Sequence, residues 1–329
     1  MLLDRGHTVT GLDTDYYRHC TFGDDPVPCE EIETDVRDVT ADTLEGIDAV
    51  IHLAGLSNDP LGDYDPSLTA SINADASIRL AGLARAAGVK RFLFASSCSN
   101  YGSSDDRFLD EGAVFNPVTP YGQSKVAVEL AVSTMGDKDF SPTFLRASTA
   151  YGMSPRIRFD LVVNNLTAWA YTTGEVYLKS DGTPWRPIVH VEDICRAYIA
   201  VLEAPRELIH NRAFNVGQTS ENYQIREIAE LVRQIVPGSK VTFARTAGPD
   251  IRNYRVDCNE ICRVLHQYKP QWTAQRGIEE LYDRFCREGL KLDDFEGPRY
   301  KRIAHVTALI DSGALDGSLR WMPAKAVQA

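Results

Sequence analysis

Tyr121 stands four residues before Lys125 in "TPYGQSKVAVE". On a helix that spacing places both side chains on one face, a turn apart. An ammonium beside a phenol favours the phenolate and draws the phenol down from its ordinary pKa of about 10. Such a pair can take a proton from an alcohol near neutral pH. Ser97 ends the apolar run "RFLFASS", where its hydroxyl can hold the oxygen of the same alcohol; capping the next turn is the plainer role. "HLAG" (52–55) ends another apolar run in small residues that admit a flat ligand close to the backbone. Asn73 opens the segment that follows, where a helix cap is the plainer role.

These residues need elements to hold them. "TVTGLD", "IDAVIHLAG", "KRFLFASS" and "SPTFLRAS" read as strands. "SINADASIRLAGLARAAG" reads as an amphipathic helix stopped by Gly88, and a second helix runs on from "SKVAVELAVSTMG". Strands alternating with helices predict an α/β fold: a parallel sheet covered on both faces, with ligands beyond the carboxyl ends of its strands. After about residue 153 the pattern loosens. "EVYLKSDGTPWRPIVHVEDICRAY" predicts a hairpin-like stretch, then a strand and a helix; "AFNVG" is a late strand and "YQIREIAELVRQIV" a helix.

The segments "VTGLD", "TDVRD", "DAVIHLAG", "SINADAS", "RFLFASSCSNYG", "PYGQSK", "FLRASTAYG", "WRPIVHVEDICRAY" and "FNVG" occur in this order between residue 9 and residue 217. Together they resemble the extended short-chain dehydrogenase/reductases of the nucleotide-sugar epimerase and dehydratase type. The resemblance implies a Rossmann-type, doubly wound sheet over residues 1–152. It also implies a smaller mixed α/β substrate lobe over 153–329, with part of 187–218 returning to the first. NAD is the implied cofactor, with Asp13 on the adenosine ribose, Asp35 and Val36 flanking the adenine, and Leu53, Ala54, Gly55 and Asn73 lining it. Lys125 would hold the nicotinamide ribose beside Tyr121. An acid at Asp13 would repel a 2′-phosphate, which favours NAD over NADP.

By the same resemblance Tyr121 takes a proton from a sugar hydroxyl, Ser97 holds that oxygen, and the oxidised sugar turns over before reduction. A nucleotide-sugar epimerase is the expected activity, with dehydration or ketosugar reduction as alternatives. Dehydratases place an Asp-Glu pair after the serine or threonine, and here those positions are Cys98 and Ser99. Arg186 and Arg252 match nucleotide-binding arginines, suited to a pyrophosphate. Thr149 stands where the family often has an asparagine that touches substrate. Family members begin with a strand and a glycine-rich turn that cradles the pyrophosphate. This sequence enters at "MLLDRG", the end of the following helix. The expectation is a displaced start or a truncated product, short by roughly 15–20 residues. The alternative from another class is a non-catalytic Rossmann-fold binding or regulatory module.

Composition sets the outer bounds. The chain has 329 residues, a net charge of −11, 43% hydrophobic and 25% charged residues. That is ordinary for a globular enzyme and argues against general binding to nucleic acid or an anionic membrane. No apolar run is long enough to span a bilayer and none reads as a signal peptide. Seven irregularly spaced cysteines fit a cytoplasmic protein without a disulfide framework. Cys98 reads as a small buried side chain before a catalytic thiol. Cys258, Cys262 and His266 read as one core-facing helix, not a metal site. "GPRYKRIAH" in the tail reads as a solvated or intersubunit surface. A homodimer packed through the helix bearing Tyr121 is expected from the family.

Overall fold

Four parallel strands carry the candidate chemistry. The structure is a computed structural model that describes residues 1–57, 65–248 and 252–323. Strands β1 (Thr10–Asp13) and β2 (Glu30–Glu33) pair in parallel as a two-stranded unit. β3 (Ala49–His52), β4 (Arg91–Ser97), β6 (Ser141–Ala147) and β10 (Arg212–Val216) form the main sheet in the order β10-β6-β4-β3. Between the first and second of these falls helix α1 (Ala76–Ala86), and between the next two helix α2 (Pro120–Ser133).

The pleat explains the covering. Phe92 and Phe94 point to one face, into a core with Leu80, Val128 and Val132 from α1 and α2. Leu93 points to the other, against Ala197 and Val201 of the helix Val191–Glu203. This is the Rossmann-type arrangement, buried on both faces. Neither β1 beyond β2 nor β3 beyond β4 pairs with a further strand among the described residues. Even so, Leu12 and Val50 pack against one core.

The second lobe has its own core. Helices α3 (Val162–Thr173), α5 (Ile225–Ile235) and α6 (Ala274–Glu288) enclose Phe159, Leu166, Ile228, Leu281 and Phe285; the helix Val191–Glu203 is α4. The expected hairpin is absent. β8 (Glu175–Ser180) pairs with β12 (Lys240–Gly248), β5 (Ser103–Leu109) pairs with β13 (Asn253–Val256), and β9 (Trp185–His190) lies between β7 (Thr149–Tyr151) and β11 (Asn222–Gln224). Both edges of β9 are already taken, so the turn at Gly182 redirects the chain instead of pairing its arms.

The tail also departs from expectation. "GPRYKRIAH" is solvated only in part: Pro298 and Arg299 are exposed, while Tyr300 and Arg302 turn inward. Arg302 lies 3.8 Å over the ring of Tyr17, and Arg299 and the Tyr300 hydroxyl both donate to the carbonyl of Thr21. Tyr300 and Arg302 are buried. Helix α7 (Arg302–Asp311) then leads into a segment whose Leu315 and Leu319 join the core of the first lobe beside Val36. That segment meets the carboxyl ends of β1 and β2. Tyr16 donates to the carbonyl of Leu319, Arg37 to those of Ser318 and Leu319, and the Trp321 indole to that of Thr14 at 2.6 Å. Arg320 pairs with Asp35 at 3.4 Å and with Asp38.

Candidate active site

Pro120 at the first turn of α2 and Thr119 as its cap, accepting from the amide of Gly122 at 3.2 Å, fix where the helix begins. That start leaves Tyr121 half-buried and carries Lys125 inward, to 4% exposure. The lysine Nζ lies 5.5 Å from the centre of the Tyr121 ring and 4.6 Å from that of Phe94 on β4. Burial draws its pKa down to about 8, and the carboxylate of Glu129, one turn on, works the other way. The lysine therefore keeps its charge at neutral pH beside the phenol.

Ser97 ends β4 at the same end of the sheet. Its hydroxyl accepts the amide of Ser99 at 3.1 Å, so it caps the turn Cys98–Tyr101, and the residue stays half-buried. Capping orients the hydroxyl without sealing it away. Cys98, by contrast, is 1% exposed, donates to the carbonyl of Arg146 at 3.2 Å, and is pushed by burial up to about 12. It is a packed thiol at pH 7, not an acid or a base.

Beneath α2 lies a polar cluster that sequence reasoning missed. Arg146 donates to Glu129 through two nitrogens, at 3.0 and 2.6 Å, and Asn100 and Ser96 donate to the same carboxylate. All four are buried. Arg146 also donates to the Tyr101 hydroxyl at 3.0 Å, which donates to Asn215 at 2.7 Å. The network ties α2 to β4, β6 and β10, and fixes where Lys125 and Ser97 sit. Its signal was Glu129 four residues after Lys125 on the same helix stripe.

The carboxyl end of β3 supplies the other wall. His52 is 4% exposed and bonded to Ser77 at 2.7 Å. Burial, then the charge of Lys125, draws its pKa down to about 3, so it stays neutral. Leu53 is exposed and Ala54 half-buried. Gly55 holds φ +151, and a Cβ there would come within 3.0 Å of Asn73 Oδ1. Asn73 does not line the cleft. It is 1% exposed and clamps the backbone of Leu56, accepting its amide at 2.7 Å and donating to its carbonyl at 2.9 Å. Asp13 ends β1 exposed and accepts the amide of Asp15 at 2.7 Å. Asp35 caps the short helix Val36–Asp38. Burial opposes its ionisation, but the hydrogen bonds from Arg37 outweigh that and hold it below the usual carboxylate range. Val36 is buried behind it.

Arg186, expected to bind the nucleotide, is 6% exposed, donates to the carbonyls of Trp185 and Arg252, and lies 5.8 Å from the ring of Tyr254. Arg186 is thus tied to the backbone of Arg252. Thr149 starts β7, half-buried and paired in register with Ile188. Arg158 reaches across to the end of "HLAG": it donates to the carbonyl of Ser57 at 2.9 Å and forks onto Asp160. Cys258, Cys262 and His266 do not share one helix. The helix there spans only Asn259–Val264, Cys258 is buried before it, and His266 is exposed after it.

Two features suit NAD: the exposed acid at Asp13 can meet ribose hydroxyls, and the buried cation at Lys125 can face a ribose beside Tyr121. The arrangement can remove a proton from an alcohol beside a dinucleotide. The comparisons agree with it. The model of the NAD dependent epimerase/dehydratase family matches residues 1–217. A UDP-glucose 4-epimerase of Corynebacterium glutamicum is 27% identical over 252 residues, which cover 71% of this chain and 75% of that one. The human UDP-glucose 4-epimerase is 28% identical over 271 residues, covering 73% and 72%. Among solved structures, MoeE5 in complex with UDP-glucuronic acid and NAD superimposes with a TM-score of 0.74 at 26% identity, covering 87% of this chain and 93% of that one. With two-thirds of its length matched and its tyrosine, lysine and serine gathered at the ends of a parallel sheet, this chain belongs to the NAD-dependent epimerase/dehydratase family.

Proposed function

We propose that the protein is an NAD-dependent 4-epimerase of a UDP-sugar, with Tyr121 as base, Lys125 as its charged neighbour and Ser97 holding the substrate oxygen. The observation that carries this is the Tyr121–Lys125 pair beside a serine that no carboxylate follows. Cys98 and Ser99 stand in place of the acid–base pair that elimination of water needs, and the Cys98 thiol is buried and protonated. That favours epimerisation over dehydration.

Bound NAD supplies the hydride acceptor, and its reduced form the donor, that oxidation and re-reduction at one carbon require. The chain's residues do the rest. Asp13 binds the adenosine ribose, Gly55 lets the dinucleotide approach the backbone, and Lys125 holds the second ribose. Tyr121 accepts the proton of the sugar hydroxyl and returns it after the sugar has turned. Ser97 donates a hydrogen bond to the oxygen as it becomes a ketone. Arg186 and Arg252 grip the pyrophosphate of the UDP group, leaving the sugar free to rotate between two faces. Thr149 lies at the sugar end of that grip. We also place the protein in the cytoplasm as a homodimer through the outer face of α2, where Leu130 is exposed.

The test is direct. The chain is incubated with NAD and either UDP-glucose or UDP-glucuronic acid, and the products are separated by chromatography. Appearance of the 4-epimer from either supports the reading. An unsaturated or deoxy-keto product would make it a dehydratase, and no conversion of either sugar would overturn it.

A further inference from the structure

We propose that the C-terminal segment Leu315–Trp321 is part of the cofactor site: it walls the adenosine end, with the Trp321 indole as an aromatic face for the adenine and Arg320 as the cation that makes the acidic floor tolerable. The inference rests on NAD being the cofactor. Ligands of parallel sheets bind beyond the carboxyl ends of the strands, and the segment lies at the carboxyl ends of both β1 and β2. Trp321 is held there through Thr14, the residue after Asp13. Its indole meets the ring of Tyr16 at 5.8 Å and the guanidinium of Arg18 at 6.0 Å, and 39% of the residue stays exposed.

Charge points the same way. Asp13, Asp15, Glu33, Asp35 and Asp38 crowd the ends of these two strands, a poor setting for a ligand that carries phosphates. Arg18 pairs with Asp15 at 3.4 Å and Glu33 at 2.5 Å. Arg37 forks onto Asp35, and Arg320 reaches Asp35 and Asp38. Of the five acids only Asp13 keeps a carboxylate without an arginine among the described ion pairs, bonded to a backbone amide. Arg320 of the tail thus joins Arg18 and Arg37 in neutralising the acids around the site, and the one suited to ribose hydroxyls stays exposed. A segment that merely blocked the cleft would cover Asp13, and this one does not.

Stacking of an adenine on an indole predicts that Trp321→Ala binds both NAD and ADP-ribose about tenfold more weakly than the wild type by calorimetry, while nicotinamide mononucleotide is unaffected. Trp321→Phe, which keeps an aromatic face, should bind within about threefold of wild type. Should Trp321→Ala fail to fold, Trp321→Leu against Trp321→Phe makes the same comparison. Binding by the Ala or Leu variant equal to wild type, or tighter, overturns the inference alone. No NAD uptake by the wild-type chain overturns it together with the cofactor reading.

Discussion

The Nζ of Lys125 sits between two rings, 5.5 Å from the centre of Tyr121 and 4.6 Å from that of Phe94. A cation held over apolar surface is costly unless its neighbours favour the charge, and here burial wins in part, with the pKa near 8. Tyr121→Phe should lower kcat by about 10²–10⁴-fold while NAD binding persists. In the wild type, Lys125 loses its charge as pH rises through about 8, so turnover should fall on the alkaline side. A kcat that keeps climbing to pH 10 would remove Lys125 from the chemistry.

His52 ties stability to acid. The unfolded imidazole takes a proton near pH 6.5, whereas the folded one resists until about 3 because it is buried and faces Lys125. Unfolding therefore binds a proton throughout that window. The stability from the neutral ring is whole above pH 6.5 and falls by up to about 1.4 kcal/mol per pH unit below it. Urea titrations from pH 7 to 4 should show this slope, and His52→Gln should flatten it. An unchanged slope in the variant would assign it to other groups.

Glu129 and Arg146 are each about 5% exposed and fully bonded. Removing one charge strands the other. Glu129→Gln should cost about 3–5 kcal/mol of unfolding free energy, measured in urea. The double variant Glu129→Gln, Arg146→Met should recover part of that loss. A double variant that loses the sum of the Glu129→Gln and Arg146→Met costs would show that the two charges are not coupled.

Cys98 offers a negative control for the chemistry. Cys98→Ala should keep turnover within about threefold of wild type, since the thiol is buried and protonated. Iodoacetamide at pH 8 should leave Cys98 unmodified in the folded protein, as read by mass spectrometry. A large loss of turnover in a folded Cys98→Ala protein would reopen the dehydratase route.

The parallel sheet and the tyrosine–lysine helix were legible because their signals are local. A strand is a short apolar run, and a helical pair is a fixed spacing. Ser97 was legible for the same reason, at the end of its run. What sequence could not show were partners chosen over long separations. Asn73 looked like a lining residue or a cap, and it clamps Leu56. The predicted hairpin failed because β9 took β7 and β11 on its two edges. Arg302 read as solvated because arginines usually are, and it is buried. Nothing in the tail announces that Tyr17 lies under it. Nor does any local pattern say that Arg320 will reach Asp35, some 285 residues earlier (320 − 35).

That separation has a consequence for how the protein comes into being. Tyr16 and Leu319 are 303 positions apart, and Thr14 and Trp321 are 307. The ribosome releases β1 and β2 about 300 residues before the residues that brace them. Contacts of such range form slowly because a long loop must close first. While translation proceeds, the opening strands have only each other as sheet partners among the described residues, and a two-stranded unit is marginal in water. The ends of β1 and β2 are therefore braced only after about 300 further residues have been made, and a nascent chain released before Arg299 leaves these two strands to chaperones.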